Sequence, residues 1–217
     1  MKKTNEKKAD ELLEKIRQGD KKAFHMLEKL AEDGNAQAMS NLAEVYLKGL
    51  GGFEISYKKA LEYFLKYEAA NCRRQNPSHE MSEVDIFLDN LTRAEVFRKV
   101  AEIYYSFNDG QKALEYFLKA DECGDEWAYI SVASIYREGK GNLKPDGVKL
   151  VEYLTKKFEQ NEPPDDLILY EIAKAYEEGC GSLEPNMQKA IEFYRKAAAL
   201  GNDDAKKKLA IRGARDD

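Results

Sequence analysis

The residues best suited to chemistry are few, and their spacing does not serve it. His25 and His79 are the only two histidines. Cys72, His79 and Glu80 share one segment, but two thiol or imidazole ligands at irregular spacing are not the tetrahedral set that zinc takes. His25 falls inside a helical pattern and reads as a surface or core-edge residue. Gly139-Lys140-Gly141 resembles part of a phosphate loop, yet the Gly-x-x-x-x-Gly-Lys-Ser/Thr spacing that aims amides and a lysine at phosphate is absent. No Gly-x-Ser-x-Gly nucleophile elbow occurs. The 40 acidic residues sit at helical surface spacing among lysines and arginines, the pattern of solvated faces. No catalytic group, cofactor or metal site is expected.

Composition narrows the partners. The 217 residues carry a net charge of −5 with no large basic block, so no nucleic-acid partner is expected. No stretch approaches the roughly 20 apolar residues that cross a bilayer, so no membrane partner is expected either. The start, Met1 to Lys8, is charged without the apolar run of a secretory signal, and a cytoplasmic monomer is the expectation. Cys72, Cys123 and Cys180 stand at different places in the pattern described next, which suits reduced thiols.

Any binding side chains must be positioned by a repeat. From Tyr170 to Gly201 the chain reads as an amphipathic helix, a Gly179-Cys180-Gly181 turn, Pro185 with the capping residue Asn186, and a second amphipathic helix. Shifted by forty residues, Ala133, Tyr136, Gly139-Lys140-Gly141, Pro145-Asp146 and Lys149 fall under Ala173, Tyr176, Gly179-Cys180-Gly181, Pro185-Asn186 and Lys189. Leu42, Ala43, Tyr46, Gly49-Leu50-Gly51, Ser56 and Lys59-Ala60 fit the same template. The step from Ala43 to Ala60, Ala133 to Leu150 and Ala173 to Ala190 is seventeen residues each time, a recurrence hard to reach by chance. A shorter copy runs from Ala101 and Tyr104 to Lys112-Ala113, twelve residues, with Asn108-Asp109-Gly110 as a tight turn.

These residues resemble the SLR (Sel-1-like repeat) family, a loop-extended relative of the tetratricopeptide repeat; the short copy looks like a plain tetratricopeptide unit. The resemblance implies an all-α, right-handed superhelix of stacked helix-turn-helix repeats, about ten to eleven helices in one solenoid domain over 1–217. Its parts are an N-terminal cap pair (6–34), a repeat (35–71), an insertion with a short helix (72–91), and a short repeat (92–125) opened by the Thr92/Glu95 capping box. Repeats at 126–161 and 166–201 and a capping helix at 202–212 complete it, with a frayed tail after that. Secreted relatives place two cysteines in each repeat, and this chain does not.

Solenoids of this kind line a concave groove with their first helices. With Ala43, Ala101, Ala133 and Ala173 as reference, positions −6, −3, +1 and +4 face the groove. They are Gln37, Ser40, Glu44 and Leu47; Glu95, Arg98, Glu102 and Tyr105; Trp127, Ile130, Ser134 and Arg137; Leu167, Tyr170, Lys174 and Glu177. From these, Arg98, Tyr105, Trp127, Ile130, Arg137, Tyr170 and Lys174 form the expected groove, an aromatic strip beside cations of the types that carry interface energy. Packing of Trp127 onto the Cys123 helix end is the alternative reading for that residue. Ser40 and Glu44 replace the polar set with which tetratricopeptide domains clamp a C-terminal carboxylate, which tells against that activity. The expected function is non-catalytic binding of a protein or peptide, as an adaptor. An immunity protein that blocks a cognate toxin, using an acidic surface and the insertion, is the alternative; an enzyme or metal-binding protein is the third class.

Overall fold

The computed structural model describes residues 2–72, 83–160 and 163–216, with side chains described for 6–71, 89–160 and 163–211. The expected loop with Arg73 to Glu80, the Ser82 cap and the side chain of Cys72 lie outside the described residues.

The described residues form α1 (Lys2–Arg17), α2 (Lys21–Glu32), α3 (Ala36–Lys48), α4 (Tyr57–Cys72), α5 (Glu83–Ser106), α6 (Gly110–Glu122), α7 (Ala128–Glu138), α8 (Gly147–Gln160), α9 (Asp166–Glu178), α10 (Met187–Ala199) and α11 (Asp203–Asp216). Among them there is no strand, so the fold is all-α and built from helix pairs. The helix starts follow the capping residues. Asp20 accepts from the Lys22 and Ala23 amides, Asn35 from Ala38, Asp109 from Lys112 and Asn186 from Lys189. Each such cap satisfies an otherwise orphaned amide and contributes about 1 kcal/mol.

The chain divides into two compact units, Met1–Ile103 and Tyr104–Asp217. In the first, α1 packs on α2 and α3, and α3 pairs with α4. Ile16, Leu27, Leu42 and Phe64 are fully buried there, and the Phe24 ring stacks on Phe53 at 4.2 Å. In the second, Leu150 and Leu154 of α8 pack against Ile168 and Ile172 of α9 and Ala133 of α7. A second layer joins Leu169 and Ala173 to Ala190, Tyr194 and Ala197 of α10 and Ala205 of α11. The reference alanines are all buried, from 0 to 6 % exposed, because helices this close leave room only for a methyl group.

The loop between paired helices recurs in hydrogen bonds as well as letters. The amides of Ser56, Asp146 and Asn186 donate to the carbonyls of Tyr46, Tyr136 and Tyr176 at 2.8, 2.7 and 2.7 Å. Its second glycine lies against the preceding hairpin. A Cβ on Gly181 (φ +56) sits 2.1 Å from the Pro145 carbonyl oxygen, and one on Gly141 (φ +59) sits 2.0 Å from that of Asn108. The motif therefore turns the chain and also sets how closely one hairpin approaches the next.

Two expectations need correcting. The short insertion helix is not separate from the next repeat: α5 runs unbroken from Glu83 to Ser106. No glycine or proline interrupts that span, so nothing ends the helix at Leu91. Thr92 and Glu95 sit mid-helix instead of forming a capping box, and Glu95 pairs with Lys99 at 2.7 Å. At the other end, α11 continues to Asp216, past the expected limit at residue 212.

Candidate protein-binding surface

Two helices of the second unit, α7 and α9, both pack on α8 and share one core cluster through Ala133, Ile168 and Ile172. Near their starts, Tyr129 senses the Asp165 carboxylate; burial first, then Asp165 and Glu171, push its phenol pKa up. Near the end of α7 the Arg137 guanidinium donates to the Glu171 carboxylate, midway along α9. Trp127, at the N-cap of α7, shares a face with Ile130 and Ser134, and Leu167, Tyr170 and Lys174 hold the equivalent positions on α9. Each set follows the i, i+3, i+7 spacing of one helix face.

The apolar end of this pair of stripes is open. Trp127 is 70 % exposed, Ile130 48 % and Leu167 55 %. The backbone under the indole is fixed, since the Asp125 carboxylate accepts from the Trp127 and Ala128 amides at 2.9 and 3.0 Å. The alternative of Trp127 packing onto the Cys123 helix end does not fit that exposure. Tyr170 is half-buried, its ring 5.5 Å from that of Tyr194 and inclined at 55°. Burial is the main cause that raises its phenol pKa. Lys174 is half-buried and forms no ion pair with a described residue.

The other expected groove residues are engaged within the fold. Arg137 is held by Glu171 with both side chains largely covered, at 24 % and 30 % exposure. Tyr105 has the Lys140 ammonium over its ring at 4.0 Å. Arg98, in the first unit, pairs with Glu102 at 2.8 Å. A regularity missed by sequence reasoning explains part of this. The residue two before the reference alanine, or its equivalent, reaches back to the preceding first helix. Asn41 donates to Asp10 at 3.1 Å, Lys99 pairs with Glu44, Glu171 with Arg137, and Lys208 with Glu177 at 2.7 Å. Three expected groove positions, Glu44, Arg137 and Glu177, are thus partners in stacking. Leu167 is the exposed side chain that the expected groove set lacks; its place at −6, equivalent to Trp127, was the available signal.

Nucleophiles and metal ligands are not assembled on this face. The Cys180 thiol donates to the Arg137 carbonyl at 3.0 Å. Burial raises its pKa and Arg137 offsets this only in part, so the sulfur stays protonated. Among the described residues no group of three His, Cys, Asp or Glu side chains is placed to hold a metal ion. His25 is exposed, 3.1 Å from Glu28.

The Sel1 repeat profile matches residues 12–35, 36–66, 104–125 and 169–202, just over half of the chain. The chain belongs to the Sel1 repeat family. Sel1 repeats generally mediate protein–protein interaction and are typically non-catalytic scaffolds. The first matched span takes in much of the expected N-terminal cap pair, so that pair is itself a Sel1 repeat. The α7–α8 hairpin lies outside the matched spans, but its Gly139–Gly141 loop repeats the hydrogen bonds of the matched copy at Gly179–Gly181. Two solved structures are similar: a protective antigen of uropathogenic Escherichia coli with an SLR fold, and a Sel1 repeat protein from Oxalobacter formigenes. They share 22 % and 24 % identity over 86 % of this chain, each with a TM-score of 0.47. The match spans 35 % of the first protein and 65 % of the second, less than two thirds of either. No curated protein matches the sequence significantly. No described helix of this Sel1 repeat protein is long and apolar enough to cross a membrane.

Proposed function

We propose that this chain is a non-catalytic binding protein that holds a protein or peptide partner on the α7–α9 face. The observation that carries the reading is the exposure of Trp127 (70 %), with Ile130 (48 %) and Leu167 (55 %) at matching positions of successive repeats, on a Trp127 backbone pinned by Asp125. An exposed apolar side chain on a held backbone has only its own rotamers left to order on binding, so more of its burial energy appears as affinity. Tryptophan is also the side chain most enriched among residues that dominate interfaces. Tyr105, Arg98 and Arg137 contribute less in this reading, because internal contacts already hold them.

Photocrosslinking tests the surface whatever the partner's identity. A photoreactive residue is placed at Ile130 or Leu167, or at the exposed Glu152 on α8 as the control, and the protein is irradiated in its native host. One adduct common to positions 130 and 167, absent at 152 and lost on adding Trp127→Ala, is the expected result. Adducts equal at all three positions, or none at 130 and 167, contradict it.

A further inference from the structure

Resting on that reading, the charges around the α7–α9 face define the chemistry of what it holds. Four carboxylates near this face are already engaged, while Glu126 and Glu178 are exposed to solvent. Glu171 is paired with Arg137, and Glu177 accepts from the Tyr194 hydroxyl and the Lys208 ammonium, each at 2.7 Å. Asp165 caps α9 through the Leu167 amide at 2.9 Å, and Asp166 accepts from Asn202 at 2.8 Å. The lysines and arginines beside it are neutralised by the same pairs. Lys174 is the exception, half-buried and without an ion pair among the described residues. A lysine on an open face without an ion pair of its own favours a ligand that supplies a carboxylate.

We infer that the occupant is an extended peptide segment with a large apolar side chain against Trp127 and Leu167 and an aspartate or glutamate on Lys174. The separation follows from helix geometry. Seven residues divide Trp127 from Ser134 and Leu167 from Lys174, about 10 Å at roughly 1.5 Å per residue. An extended chain advances about 3.3 Å per residue, so the acid stands about three residues from the apolar anchor. Ile130 and Tyr170 cover the stem between them, and Ser134 offers a hydroxyl beside the ammonium. A short segment suits this spacing because isolated helices below about 12 residues are marginal in water.

Random 12-residue peptides displayed on phage and selected against the full chain test this directly, with Trp127→Ala and Lys174→Glu in parallel. Unchanged helical circular dichroism confirms that both variants are folded. Peptides enriched on the wild type should pair Leu, Ile or Phe with Asp or Glu about three residues away. They should bind Trp127→Ala about tenfold more weakly, a loss of about 1.4 kcal/mol. Selection on Lys174→Glu should replace the acid by Lys or Arg. Enrichment that needs Trp127 but shows no acidic bias, or keeps its bias on Lys174→Glu, overturns the peptide class and leaves the surface standing. An acid seven residues from the anchor overturns the extended form. Absence of any Trp127-dependent enrichment overturns the inference and the surface together.

Discussion

The Arg137 guanidinium on α7 is held by the Glu171 carboxylate on α9. The bond joins neighbouring first helices, removes Arg137 from the set of groups available to a partner, and leaves Lys174 as the cation of that face. A double-mutant cycle of Arg137→Ala and Glu171→Gln should give a coupling of about 1 kcal/mol. Solvent screening limits the value, since the side chains are 24 % and 30 % exposed. Arg137→Ala should leave partner binding unaltered. A coupling near zero, or a lost partner with stability intact, assigns Arg137 to the partner.

In the first unit Lys99 is buried between Glu44 of α3 and Glu95 of its own helix. Burial acts to raise the Glu44 pKa, and the hydrogen bonds and charges of Lys99 and Lys48 together outweigh it, holding the carboxyl below its ordinary 4.5. A depressed acid contributes stability above its unfolded value and loses that contribution as pH falls through the folded value. Thermal midpoints should therefore fall below about pH 4.5 in wild type. Glu44→Gln should flatten that fall and cost about 2 kcal/mol at neutral pH, the scale of a hydrogen bond to a charged group. Lys99 is raised on balance, with burial opposed by Glu44 and Glu95, so its contribution is present below 10.5 and lost only at higher pH. A wild-type acid transition that Glu44→Gln does not change contradicts this pairing.

Gly181 and Gly124 separate backbone conformation from packing. By φ alone, alanine is easier at Gly181 (+56), inside the left-handed helical region, than at Gly124 (+92). Contacts reverse the order: a Cβ at Gly181 meets the Pro145 carbonyl at 2.1 Å, whereas at Gly124 nothing lies within 4 Å. Gly181→Ala should thus be the more destabilising, by at least about 1 kcal/mol in urea unfolding, because the two loops must part. If Gly124→Ala is worse, the second glycine serves the turn alone.

Much of the fold was legible in the sequence because its strongest constraints are local. Ala43, Ala101, Ala133 and Ala173 had to be small for helices to touch, and Asp20, Asn35, Asp109 and Asn186 had to cap, so spacing revealed both. The continuous α5 was missed because Thr92 with Glu95 has the letters of a helix start, and only the absence of a breaker between 83 and 106 argues against one. In the candidate surface, the openness of Trp127 and Leu167 followed from register. The engagement of Arg137 did not: Glu171 is 34 residues away, and the −2 position holds Asn, Lys, Glu or Lys, with no shared letter to read. Pairing across a stack is chosen by charge complementarity, which each interface solves separately.

Trp127 is the only tryptophan in the chain, so its fluorescence reports on the central claim without a label. In the free protein its emission should be that of a water-exposed indole and open to acrylamide quenching. Saturation with the partner crosslinked at positions 130 and 167 should shift the emission to the blue and suppress quenching. An indole already shielded in the free protein, or one that stays fully quenchable in the saturated complex, contradicts the account.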